Sequence, residues 1–293
     1  MTNQALVLGG TGMLGSAIVR RLQKSEVSAT ATAREISGVS PRVTSFKPFS
    51  VNMGGLSALL ENYGNGDVIV NCIGLIKHRL DDSKQSDRLD AIRVNAEFPY
   101  ELAEAAERQG FRVLQIATDC VYSGRSGSYD ERAPHDAQDV YGKTKSLGEV
   151  PNENFLNLRC SIIGRELSGS TSLVGWLLSQ PQGATIRGYL DHRWNGVTTG
   201  SFADIVTGLI ASGSELSGTF HVVPVDAINK SDLSEMILST FGRNDVTVIP
   251  TITGAAVDRT LTTRHPETNQ MLWEAAGLSG PPTIKQMVQT LTS

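Results

Sequence analysis

A short apolar run, Ala5, Leu6, Val7 and Leu8, opens directly onto a glycine cluster at Gly9, Gly10, Gly12 and Gly15, and an amphipathic segment follows as far as Leu22. This is the pattern of a strand, a tight turn and a helix. The glycines read as Gly9, Gly12 and Gly15 at three-residue spacing, or as Gly10, Gly12 and Gly15. In either reading they allow a sharp turn, let a pyrophosphate approach the backbone and let the helix pack on the strand. The helix N-terminus then offers free N–H groups and the positive end of its dipole to the phosphates. A dinucleotide bound through Gly9, Thr11, Gly12, Met13, Leu14 and Gly15 is the reading this position favours over a plain turn.

The alternation continues. Strand-like runs at 5–8, 28–33, 43–46, 68–71, 112–117 and 155–158 enclose helical patterns near 14–24, 56–63, 87–109 and 141–150. Apolar strands alternating with helices imply an α/β fold, a doubly wound parallel sheet covered on both faces. Cofactors in such sheets bind outside the C-terminal strand ends. Arg34, Cys72, Ile73, Gly74 and Cys160 fall at or just past such ends and join the expected cofactor set. After Arg159 the pattern changes. A polar stretch at 164–171 reads as a loop, with helices at 173–179, 202–211, 231–241 and 283–291 and strands at 219–223 and 247–249. Ser201 and Asp204 have capping-box spacing for the second helix. The expected division is a cofactor domain, 1–160, and a smaller interwoven substrate lobe, 161–293, with one strand near 218–223 free to return to the main sheet.

The second strand bears on cofactor choice. It ends Ala31, Thr32, Ala33, Arg34, with Glu35 next. An arginine here suits the 2′-phosphate of NADP(H), which it can grip with two hydrogen bonds. Glu35 leaves NAD(H) open, and a solvated surface arginine is the plain alternative. The net charge of −4 over 293 residues argues against a nucleic-acid binder. No run of 18 apolar residues exists, so no membrane span is expected. The chain enters its first strand within a few residues, so no leader is expected. Three cysteines, Cys72, Cys120 and Cys160, cannot all pair, which fits reduced thiols in the cytoplasm. No Cys/His spacing suggests a metal site.

Chemistry enters with Ala117, Thr118, Asp119 and Cys120, followed by Tyr141, Gly142, Lys143, Thr144 and Lys145. On a helix, Tyr141 and Lys145 share a face. A phenol beside an ammonium loses its proton more easily. Thr118 can hydrogen-bond a substrate oxygen, giving a catalytic set of Thr118, Tyr141 and Lys145.

With the glycine turn, these residues resemble the extended short-chain dehydrogenase/reductase superfamily. Thr118, Asp119, Cys120, Val121, Tyr122, Ser123 and Gly124, then Gly127 to Glu131, then Val140 to Glu149, resemble more narrowly the dTDP-4-dehydrorhamnose reductase family. The likeness runs from about residue 4 to about 165. It implies a Rossmann-type fold and NADPH-dependent reduction of a nucleotide-linked 4-keto-6-deoxyhexose, making a deoxysugar nucleotide for surface polysaccharide. It implies that Tyr141 gives the proton, Thr118 orients the oxygen, and Lys145 binds the nicotinamide ribose and lowers the tyrosine pKa. Related dehydratases carry an Asp-Glu pair after the threonine. Cys120 replaces that glutamate, so dehydration is not expected.

Cys120 also stands where related epimerase/reductases place a catalytic cysteine, which makes a bifunctional epimerase/reductase the first alternative, with His192 or His221 as partner acid. A small apolar cysteine at a strand end is the plainer reading. Asp119, Cys120, Trp194, Asn195 and Arg259 are the expected substrate contacts, with Lys77 and His78 either lining the pocket or solvated. Asn95 matches a structural asparagine of the superfamily. A relative that serves as a regulatory subunit of methionine adenosyltransferase makes a non-catalytic NADP-binding subunit the second alternative. Superfamily members commonly form homodimers through the fourth and fifth helices, where Ala103, Ala105 and Ala106 suit close approach or face the sheet.

Overall fold

In the computed structural model, which describes residues 4–35, 45–167 and 169–292, glycine decides the first crossover. β1 (Gln4–Leu8) ends at Gly9, whose φ of 77° is left-handed. A Cβ at Gly15 would meet the Gly9 carbonyl oxygen at 2.2 Å, and one at Gly10 would meet the Ala31 Cβ at 2.7 Å. Glycine at both places lets α1 (Met13–Leu22) lie close on β1 and β2 (Ser28–Ala33).

There follow β3 (Phe46–Pro48), α2 (Leu56–Leu60), β4 (Val68–Asn71), α3 (Gln85–Ala91), α4 (Phe98–Gln109), β5 (Arg112–Thr118), α5 (Val140–Leu147) and β6 (Phe155–Cys160). The second half holds β7 (Ile162–Ile163), α6 (Leu173–Leu178), β8 (Thr185–Tyr189), β9 (His192–Trp194), β10 (Val197–Thr198), α7 (Thr199–Ala211) and β11 (Gly218–His221). It closes with β12 (Ile228–Asn229), α8 (Lys230–Thr240), β13 (Thr247–Thr251), β14 (Val257–Asp258), α9 (Pro266–Ala275) and α10 (Ile284–Gln289).

Seven strands form one parallel sheet in the order β11-β6-β5-β4-β1-β2-β3. The chain winds one way from β1 and then the other from β4, so the crevice between their C-terminal ends is the switch point where ligands bind in such sheets. Small sheets pair β10 with β7, β13 with β8, and β9 with β12 and β14. One face of the main sheet carries α2 and α4, with Leu60, Phe98 and Phe111 fully buried. The core on the other face runs without a break from Val7 and Ile18 through Leu158 and Cys160 to Trp194, Val222 and Trp273. The two halves of the chain therefore share a core, and β11 brings the later half into the main sheet.

Several local expectations need correction. The third strand is Phe46–Pro48, not 43–46, and Val43 and Thr44 lie outside the described residues. The long helix expected at 87–109 is α3 and α4 joined by a π-helical turn at Ile92–Glu97. α7 starts at Thr199, earlier than expected, and its cap is Thr198, whose hydroxyl accepts from Ser201 N at 3.2 Å. Asp204 instead pairs with Arg21 of α1 at 2.7 Å. Helix α9 was not anticipated, although Pro266 and Glu267 in its first turn are a helix-start signal. Of the two readings open for Ala103, Ala105 and Ala106, the structure shows the second: they are buried against the chain's own sheet.

α7 and α9 meet at Gly208, where an added Cβ would lie 1.8 Å from the Ala275 carbonyl oxygen. Glycine to alanine in a free helix interior stabilises by about 1 kcal/mol. Here the helices would have to part, and Gly208→Ala is expected to lower stability by roughly 1–3 kcal/mol. Urea unfolding checks this, and a raised midpoint would contradict the packing.

Candidate active site

Thr118 is the last residue of β5, and its hydroxyl accepts from Cys120 N at 3.2 Å, closing a one-turn helix at Asp119–Val121. α5 begins opposite. Asp139 caps it, accepting from Gly142 N at 2.8 Å, and takes an ion pair from Lys77 at 2.9 Å. A Cβ at Gly142 would lie 2.4 Å from the Cys120 carbonyl oxygen and 2.4 Å from the Ala137 Cβ. Glycine here lets the first turn of α5 rest on the loop after β5, which brings Tyr141 up to Thr118.

The phenol of Tyr141 is pushed well above its ordinary value. Burial is the main cause; Cys120, Asp119 and Asp139 add to it, and the hydrogen bond with Thr118 opposes it. Lys145 is not among these dominant influences, contrary to the sequence expectation. Its Nζ donates to the Ile116 carbonyl at 2.7 Å. Burial pushes Lys145 down to about 8, against Glu149 and Cys72, which raise it. Tyr141 is thus protonated at neutral pH and suited to giving a proton. Asn95, in the π-helical turn, accepts from Leu75 N at 2.8 Å and donates to Leu75 O and to Thr144 of α5. It ties the segment after β4 to α5.

The glycine turn lies at the same sheet edge. Gly9 N donates to Thr32 Oγ1 at 3.0 Å and Gly10 N to Thr32 O at 2.8 Å, a brace that no sequence motif announced. Gly12 provides no side-chain cap to α1, so the first-turn N–H groups lack a partner within the helix. That cradle fits a dinucleotide pyrophosphate. Thr11 and Met13 are accessible there, while Leu14 turns into the core. Arg34 and Glu35 are exposed just past β2. Cys72, Ile73 and Gly74 follow β4, and Cys160 ends β6; burial pushes the Cys72 thiol up to about 12 and Cys160 upward too.

In the loop after β5, Asp119 is buried and its carboxyl is raised by burial, against the fields of Arg259 and Lys230. Burial, then Asp119, push Cys120 up to about 12. Arg259 is anchored, donating to Tyr122 O at 2.8 Å and Ser123 O at 3.3 Å. Asn195 is committed to the Leu261 backbone, donating to its carbonyl at 2.7 Å and accepting from its N–H at 2.9 Å. Trp194 is buried, with Nε1 donating to Ser161 Oγ at 2.9 Å and Lys230 over its ring at 5.1 Å. Lys230 gave no signal in the sequence. Lys77 is exposed but its charge reaches Cys120, and His78 is exposed. A cleft of about 590 Å³ is lined by Arg193, Asn195 and Asp258 but by none of Thr118, Asp119, Tyr141 or Lys145.

Neither candidate histidine is among the groups that dominate Cys120. His192 lies against the Tyr189 ring at 4.9 Å. His221 is fully buried: Nδ1 donates to Thr262 O at 2.6 Å, and Nε2 accepts from Arg159 at 2.6 Å. Arg159 also pairs with Glu149 and donates to Tyr122 Oη at 2.7 Å, bracing the loop behind the site.

A family model described as the RmlD substrate binding domain matches residues 3–292. A probable low-salt glycan biosynthesis reductase, Agl14, of Haloferax volcanii is 27% identical over 87% of this chain and 85% of its own length. A dTDP-4-dehydrorhamnose reductase of Streptomyces griseus is 26% identical over 93% of this chain and 88% of its own. The fold matches that of dTDP-4-dehydrorhamnose reductase from Bacillus anthracis in complex with NADP, with a TM-score of 0.74 at 20% identity, covering 100% of this chain and 99% of that one.

Burial, then the Arg159 charge, push His221 from 6.5 down to about 4. Between these values the unfolded chain binds the proton and the folded one does not, so stability is full above the upper value and falls as pH drops toward the lower. The loss from about pH 7 to about pH 5 is about 2 kcal/mol from this group. Urea unfolding of wild type and His221→Gln is expected to show the weaker pH dependence in the variant; equal slopes would contradict the assignment.

Proposed function

The chain belongs to the RmlD substrate binding domain family, and from that premise we propose that it is an NADPH-dependent reductase of a nucleotide-linked 4-keto-6-deoxyhexose, similar to dTDP-4-dehydrorhamnose reductase. The observation that carries this is the close approach of Gly142 to the Cys120 carbonyl, which sets Tyr141, in the first turn of α5, against Thr118 at the C-terminal end of β5, at the same sheet edge as the uncapped start of α1. NADPH, when bound, supplies the hydride. The turn from Gly9 to Gly15 holds the pyrophosphate, and Arg34 holds the 2′-phosphate. Tyr141 gives its proton to the carbonyl oxygen as charge develops there, and Thr118 donates a hydrogen bond to the same oxygen. Lys145 keeps two N–H groups beyond the one on Ile116, and these hold the nicotinamide ribose hydroxyls. Asp119 accepts from a sugar hydroxyl.

Simple reduction is favoured over epimerisation. A thiol pushed up to about 12 is a poor base near neutral pH, and neither His192 nor His221 dominates its surroundings. The relatives' names as reductases and the NADP in the Bacillus anthracis complex support the same reading. The three free cysteines support a cytoplasmic setting, and no described helix is long and apolar enough to cross a membrane.

NADPH oxidation with a panel of dTDP-, UDP-, GDP- and CDP-linked 4-keto-6-deoxyhexoses tests the proposal. Turnover is expected with at least one, without solvent deuterium entering C3 or C5, and Tyr141→Phe should lower kcat by about 10²–10⁴. Deuterium that enters and is lost in Cys120→Ser would establish epimerisation instead. Arg34→Ala should raise the KM for NADPH about tenfold or more and leave NADH nearly unchanged; an equal effect on both would remove Arg34 from the cofactor site.

A further inference from the structure

Four cations surround the turn that begins at Thr118, and three are committed. Lys145 donates to Ile116 O, Lys77 to Asp139, and Arg259 to Tyr122 O and Ser123 O. Lys230 is the fourth. Among the described residues its ammonium has no hydrogen-bond acceptor and no carboxylate within ion-pair distance; it lies over the Trp194 ring face, 5.1 Å from the centre. An ammonium carries three donors, and this partly buried one leaves them open to a bound ligand.

The seat is rigid. β12 runs antiparallel to β9, with Ile228 opposite Trp194 and Asn229 opposite Arg193, so the chain enters α8 beside the indole. Asn229 fixes that entry by accepting from Asp232 N at 2.8 Å. The indole is pinned by Ser161. The groups whose charges act most on Lys230 are Asp119, then Cys120, the two residues directly after Thr118.

We propose that Lys230 is a substrate-positioning residue whose ammonium donates to oxygen atoms of the sugar ring while Asp119 accepts from a sugar hydroxyl. Donor and acceptor come from opposite halves of the chain, α8 and the end of β5, so the sugar is gripped between them next to the proton donor. A pyrophosphate is the wrong occupant beside Asp119, because two anions would then face each other in a buried site. The assignment rests on the reductase reading.

Calorimetric titration with dTDP-rhamnose and with dTDP alone, on wild type, Lys230→Met and Lys230→Arg, tests it. Methionine keeps the stem on the indole and removes the charge. Lys230→Met should weaken dTDP-rhamnose about tenfold or more and leave dTDP nearly unchanged, with partial recovery in Lys230→Arg. KM for the keto-sugar should rise more than kcat falls, and NADPH affinity should hold. Equal weakening of dTDP and dTDP-rhamnose would put the ammonium on phosphate and overturn the assignment. Unchanged binding of dTDP-rhamnose would reduce Lys230 to a counter-charge for Asp119 and overturn it too. Wild type that binds none of the dTDP-, UDP-, GDP- or CDP-linked deoxyhexoses would overturn the reductase reading together with this one.

Discussion

The close contact between Gly142 and the Cys120 carbonyl governs the site. Any side chain at 142 would lift the first turn of α5 off the loop after β5, and Tyr141 would leave Thr118. Everything chemical is referred to that contact: the Asp139 cap sets where α5 begins, the Lys77 ion pair steadies the cap, and Asn95 ties the same helix to the segment after β4. The same device, glycine permitting backbone approach, sets α1 on β1 through Gly15. Two glycine contacts thus place the start of α1 and Tyr141 at one end of one sheet.

Electrostatics then divides the labour. Burial keeps Tyr141 and Cys120 protonated, so the pocket holds an acid rather than a strong base. The cations are assigned separately: Lys145 to the backbone of β5, Arg259 to the loop after it, Lys230 to the face of Trp194. Behind the loop, Arg159 meets Glu149, Tyr122 and a neutral His221. Buried charges joined this way contribute more to position than to net stability. Here they hold the backbone that carries Thr118.

The main sheet and the meeting of Thr118, Tyr141 and Lys145 about the end of β5 were legible because their signals are local. Apolar strands, a glycine cluster and a Tyr–Lys pair four residues apart each stand within one segment. The second half was less so. β7, β9, β10, β12 and β14 are two or three residues long, too short for a period to register. Thr32 and Lys230 act through neighbours far away in sequence, and no motif marks them. Asn195 looked like a ligand contact because it is a polar residue beside a tryptophan, yet its amide serves the Leu261 backbone. Lys145 sits on the helical face that spacing predicts, but its reach goes to Ile116 and Cys72, a direction that spacing does not encode.

The central claim is that this sheet edge passes a hydride to a sugar carbonyl beside Tyr141. Its most direct test uses NADPH deuterated at the transferring position of the nicotinamide, with a nucleotide-linked 4-keto-6-deoxyhexose, and NMR of the sugar product. The account predicts deuterium on the former carbonyl carbon and nowhere else on the ring. NADPH that binds but delivers no deuterium to any sugar of the panel would contradict it and leave the fold as a binding module.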